Sequence, residues 1–120
     1  MSAQCARLPL EYVGAVNRRD AAAYLGLFAQ DATVDDAGRT FHGHDEIKRW
    51  ADADIFAAHV SFEVLDAELE DDRATITTKV DGTFDRTGLP DPVVISHHLE
   101  FAGEAISKLA CRLVEPATNK

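Results

Sequence analysis

The sequence predicts an α+β fold: N-terminal helices packed in the concave face of a strongly curved, mostly antiparallel sheet, forming a cone-shaped α+β barrel with a central cavity. Two observations carry the α+β class; the cone with its cavity is the inference drawn from a strongly bent sheet wrapped around helices. Apolar residues in the first half recur with helical spacing, whereas from His59 onward they alternate with a period of two. Helices followed by a long meander is the element order of an α+β domain. Repeats, low-complexity tracts and Pro/Gly/Ser-rich linkers are absent, so residues 1–120 read as one domain.

In the first helix Cys5, Leu8, Tyr12 and Val16 form an apolar stripe, and "NRRD" ends it. Asp20 then suits the N-cap of a second helix, "AAAYLGLFA". A short extended pair, "ATVDD" and "RTFH", leads to a third helix starting near Gly43. Asp45 and Glu46 fall in its first turn, where the helix dipole favours negative charge, and Ile47, Trp50, Ala51 and Ile55 form its inner stripe. In "RATITTKVDGTF" the apolar positions are Ala74, Ile76, Val80 and Phe84. "DRTGLPDP" is a loop by its Gly and Pro content. Next, "VVISHHLEF" puts Val93, Ile95, His97, Leu99 and Phe101 on one face, and "AISKLACRLV" does the same for Leu109, Cys111 and Leu113. In "VSFEVLDAEL" the apolar phase slips between Val64 and Leu65, the mark of a bulge and a curved sheet. "ELEDD" reads as a solvated hairpin turn and "EPATNK" as a frayed tail.

Net charge is −9, with 12 Lys and Arg against 21 Asp and Glu. Such a chain repels phosphate backbones and anionic bilayers, which argues against nucleic acid and membrane as partners. No secretory signal precedes the first helix and no apolar run has the ~20 residues that span a bilayer, so a cytoplasmic protein with free thiols at Cys5 and Cys111 is expected.

Three polar side chains occupy positions that the periodicities assign to the interior. Tyr12 lies on the helical stripe, Asp36 shares strand parity with Val34 while Asp35 faces solvent, and His97 sits among Val93, Ile95, Leu99 and Phe101. Each has a structural explanation: a core tyrosine with one hydrogen bond, an aspartate capping a turn, a satisfied core histidine. Together, around an apolar cavity, they form an acid–base set. The remaining histidines point elsewhere. His42 and His44 straddle a strand-to-helix boundary and His98 has outward parity, an arrangement unsuited to one metal. Cys111 reads as core, without a local base.

The stretch "YVGAVNRRDAAAYLGLFAQDATVDDAGRTFHGHDEIKRW" resembles the N-terminal half of the ketosteroid isomerases and SnoaL-like polyketide cyclases, members of the nuclear transport factor 2-like superfamily. The resemblance rests on Tyr-Val-x-Ala, an Asn and Asp closing the helix, Phe-Ala-x-Asp-Ala-Thr-Val, the acidic pair, a Gly and an Ile-x-x-Trp helix. It implies a small-molecule isomerase or cyclase working through an enol(ate), with Tyr12 donating to the carbonyl oxygen and Asp36 moving the proton; ketosteroid isomerase is an established worked case of this chemistry. It also implies a small apolar carbonyl-containing ligand, no cofactor, and a homodimer paired through the sheet's outer face. The isomerases' second aspartate falls on His97, as donor or base, and the Pro that often follows their acid is Ala37. The Asp-Arg-Asp set of the superfamily's epoxide hydrolases is not expected, because Arg112 has outward parity. The competing expectation is a non-catalytic binding or dimerisation module of the same fold.

Overall fold

A computed structural model describes residues 3–83 and 93–114, with side chains from Leu8 onward. Cys5's side chain, Phe84, the loop 85–92 and the tail 115–120 lie outside the described residues. Helix α1 spans Ala3–Asn17, α2 Ala21–Gly26 and α3 Gly43–Ala51, the last continuing into a π-helical turn, Asp52–Phe56. Six strands follow the expected order: β1 Phe28–Asp36, β2 Arg39–His42, β3 Ser61–Leu69, β4 Arg73–Asp81, β5 Val93–Ala102 and β6 Ala105–Leu113. They form one sheet ordered β2-β1-β6-β5-β4-β3, antiparallel except where β1 runs parallel to β6. No helix among the described residues is long and apolar enough to cross a membrane.

The sheet is curved but not closed. Helix α1 lies against β3 and β4 and α3 against β1 and β2, so the helices bury the inner face that closure would otherwise cover. The Leu8–Tyr12–Val16 stripe supplies the buried side of α1, and Asn17 ties its end to the sheet: Nδ2 donates to the Phe62 carbonyl at 3.0 Å while Oδ1 accepts from the Phe62 amide at 2.8 Å. Asp20 caps α2 by accepting from the Ala23 amide. The phase slip in β3 is a bulge, with Val64 opposite Thr78 and Asp66 opposite Thr77.

Two boundaries differ from expectation. Helix α2 stops at Gly26 rather than continuing through residue 29, and β1 starts at Phe28 rather than residue 32. The reason is non-local: the Ile106 amide of β6 donates to the Leu27 carbonyl at 2.8 Å, and Phe28 pairs with Ile106, which draws the segment into the sheet.

The β1–β2 connection is a two-residue turn, Ala37-Gly38, with φ of 53° and 92°. Positive φ at both centres matches the right-handed strand twist, but Ala37 bears the side-chain strain that glycine avoids. Proline, fixed near φ −65°, has no place there. The turn-capping role falls to Asp35, whose Oδ1 accepts from the Gly38 amide at 3.0 Å.

Candidate functional site

One lateral row of the sheet organises the site. Asp36 on β1 is opposite Cys111 on β6, Cys111 is opposite His97 on β5, and His97 is opposite Ile76 on β4. Residues opposite one another share a face, so a carboxylate, a thiol and an imidazole line up along the concave wall. A cavity of about 620 Å³ opens over this row, bounded also by apolar side chains that include Ile55, Val60, Phe62, Val80 and Ile95.

At the deep end, His97 is held by both nitrogens. Nδ1 lies 2.9 Å from the Tyr12 hydroxyl and Nε2 2.8 Å from the Thr78 hydroxyl, with Cys111 Sγ 3.8 Å from Nδ1. Tyr12 and Thr78 are fully buried and His97 is 2% exposed. Burial, followed by the neighbouring His98 charge, lowers the His97 pKa to about 3, so the imidazole is neutral, with one N–H and one lone pair. Desolvation raises Tyr12 and Tyr24 well above the ordinary tyrosine value, which keeps both hydroxyls protonated. Phe62 and His97 meet edge-on, with ring centroids 4.8 Å apart, and fix the imidazole plane. The Cys111 thiol is free and pushed up to about 12 by burial and then by the charge of Asp36, so it stays protonated.

Asp36 has the expected parity but sits less deep than expected. It is the last residue of β1, at the cavity rim, and its side chain is 26% exposed. Its Oδ2 accepts from Trp50 Nε1 at 2.9 Å and from Arg39 Nη2 at 2.8 Å. Both bonds end on Oδ2, which leaves Oδ1 as the oxygen with no bond among the described residues, on a residue that lines the cavity. Arg39 also pairs with Asp54, stacks over the Phe41 ring at 5.5 Å, and Phe41 stacks on Trp50 at 5.9 Å.

Tyr12 and His97 are therefore directly bonded, and Asp36 stands apart from them on the same wall. Residue patterns missed three participants. Thr78 shares the inward parity of Ile76 and Val80, and that parity was the available signal. Arg39 and Asp54 carried none, because the β1–β2 turn folds Arg39 back across Asp36 and the π-helical turn presents Asp54. This Asp-Arg-Asp grouping is built from Arg39, with Arg112 exposed as its parity implies. His42 and His44 hydrogen-bond locally, to the Thr33 hydroxyl and the Phe28 carbonyl.

The SnoaL-like domain model matches residues 10–109. Among solved structures, the chain is similar to a candidate polyketide cyclase from Sinorhizobium meliloti, at 28% identity over 88% of this chain and 94% of that one, with a TM-score of 0.78. It is similar also to a hypothetical protein with a ketosteroid isomerase-like fold from Catenulispora acidiphila, solved in complex with trimethylamine, at 25% identity over 88% and 83% of the two chains (TM-score 0.72). A candidate ketosteroid isomerase from Kribbella flavida shares the fold at 16% identity, covering 98% of this chain and 82% of its own, with a TM-score of 0.80. No curated protein matches the sequence.

Proposed function

The chain belongs to the SnoaL-like domain family, and from that premise we propose that it is a small-molecule isomerase or cyclase that moves a proton through an enol(ate) within its cavity. The observation that carries this reading is the row Asp36–Cys111–His97, with a carboxylate at one end and a hydroxyl–imidazole pair at the other. Neighbouring strands lie about 4.8 Å apart, so the Cα atoms of Asp36 and His97, two strands apart, are separated by roughly 10 Å. A small carbonyl compound fills that gap, with its acidic C–H toward Asp36 and its oxygen toward Tyr12.

In the proposed step the Asp36 carboxylate takes a proton from the carbon next to the carbonyl. The C–H electron pair becomes the enolate π bond, and negative charge develops on oxygen, where the Tyr12 O–H donates to it. Return of the proton from Asp36 to a different carbon gives the isomer; attack of the enolate carbon on a second carbonyl forms the ring C–C bond, breaks that carbonyl's π bond, and the resulting alkoxide takes the proton back from Asp36. An apolar wall strengthens a donor aimed at developing charge. Trp50 and Arg39 orient the carboxylate through Oδ2, leaving Oδ1 to receive the proton.

A second reading, a ligand-binding module without turnover, is favoured by one observation: both His97 nitrogens are engaged and Tyr12 is fully covered. Proton NMR in D2O, with cyclic ketones of one to four fused rings, separates the two. The enzymatic reading predicts that α-proton signals disappear faster than in buffer for at least one ring size. Exchange at the buffer rate for every ketone, despite saturable binding, establishes the binding module instead.

A further inference from the structure

We infer that Thr78 is a positioning residue: by donating its hydroxyl proton to His97 Nε2 it fixes the imidazole as the Nδ1–H tautomer and leaves the Tyr12 proton free to point into the cavity. The inference rests on the enolate reading above for its functional meaning, but the proton arrangement stands on geometry alone.

Two arrangements fit the distances. In the first, Nε2–H donates to Thr78 and Tyr12 donates to Nδ1. The Thr78 proton then needs another acceptor, and the only hydrogen bond of that hydroxyl among the described residues is the one to His97. Thr78 is fully buried and does not border the cavity, so its proton is stranded in the sheet interior. Leaving a buried donor unpaired costs about 1–3 kcal/mol. In the second, Thr78 donates to Nε2 and Nδ1–H donates to the Tyr12 oxygen. The unspent proton of this relay is now on Tyr12, which is as buried as Thr78 but, unlike it, lines the cavity. Each hydrogen bond in this direction polarises the next, so the Tyr12 O–H becomes a better donor to an oxyanion. Tyr24 packs behind Tyr12 without lining the cavity: its ring is 5.4 Å from that of Tyr12, and its buried hydroxyl has no hydrogen-bond partner among the described residues. The second arrangement therefore places the unsatisfied proton on the hydroxyl of a cavity-lining residue rather than inside the sheet, and Thr78 is the residue that chooses it.

Long-range ¹H–¹⁵N correlation spectra of ¹⁵N-histidine protein test the inference, with His97 assigned by comparison with His97→Gln. The expected result is a protonated, pyrrole-type Nδ1 and an unprotonated Nε2 in wild type and Thr78→Ser, with that preference weakened in Thr78→Val. Affinity for 2-naphthol, an enolate mimic, is expected to fall roughly tenfold in Thr78→Val, the equivalent of one lost hydrogen bond, and to return in Thr78→Ser. A protonated Nε2 in wild type overturns the inference whatever the protein's activity. So does naphthol binding that depends on Tyr12 but is equal in wild type and Thr78→Val, an outcome that leaves the enolate reading intact. Absence of naphthol binding together with a protonated Nδ1 removes the enolate reading and upholds the Thr78 bond.

Discussion

Asp36→Asn is expected to slow α-proton exchange by about 10²–10⁴-fold, the usual contribution of a positioned general base, while the protein stays folded. An amide oxygen is too weakly basic to accept the proton, so the general-base contribution is lost while that of the Tyr12 donor remains. The structural consequences are small by comparison. Asparagine still offers an oxygen to Trp50 Nε1, and Arg39 keeps its partner Asp54. The Asp36–Arg39 pair that is lost has side chains 26% and 58% exposed, and an ion pair that wet contributes about 0–1 kcal/mol. A 10³-fold rate loss corresponds to about 4 kcal/mol of barrier, so turnover and stability report distinct quantities. Exchange assays paired with thermal unfolding separate them. Full activity with a large drop in melting temperature assigns Asp36 to structure alone.

The second large effect is acid sensitivity centred on His97. Its native pKa of about 3 reflects burial first and the His98 charge second. The unfolded chain binds a proton at this residue below pH about 6.5, and the native state refuses it until pH 3. Across that window the unfolded state holds more protons, so stability rises with pH and is lost as pH falls, by up to roughly 1.4 kcal/mol per pH unit from this one group. The contribution is fully present above pH 6.5 and gone below pH 3. Glutamine at position 97 keeps a donor and an acceptor for Tyr12 and Thr78 but does not titrate. Urea unfolding of wild type and His97→Gln between pH 7 and pH 4 is expected to show the wild-type midpoint falling more steeply. Parallel slopes mean that His97 accepts its proton in the native state, which is incompatible with a sealed, neutral relay.

Local periodicity carried the interior of the molecule into view. The stripe Leu8–Tyr12–Val16 and the alternation around His97 each depend on a side-chain repeat that the backbone imposes, so Tyr12 and His97 were legible as buried polar groups. The β3 bulge was legible for the same reason, as a break in that repeat. What depended on distant pairing was not. "LGLFAQ" continues a helical pattern, and only the parallel partner β6 makes Phe28 a strand residue. Parity placed Asp36 on the inner face but not at the rim, because depth depends on where the strand ends. Arg39 and Asp54 meet through a tight turn and a π-helical turn, geometries that no repeat announces. Thr78 had the inward parity, but threonine suits both faces of a strand and gave no reason to prefer one.

Trp50 is the chain's single tryptophan, lines the cavity and bonds to Asp36, so its fluorescence reports what enters. Titrating wild type and Tyr12→Phe with hydroxy-aromatics of one to four fused rings tests the proposed enolate site without knowledge of the substrate. The prediction is saturable quenching for at least one ring size, with affinity at least ~10-fold weaker in Tyr12→Phe, as expected for a lost hydrogen bond to an oxyanion-like oxygen. Equal affinity in the two proteins, or no saturable change with any ring size, contradicts it.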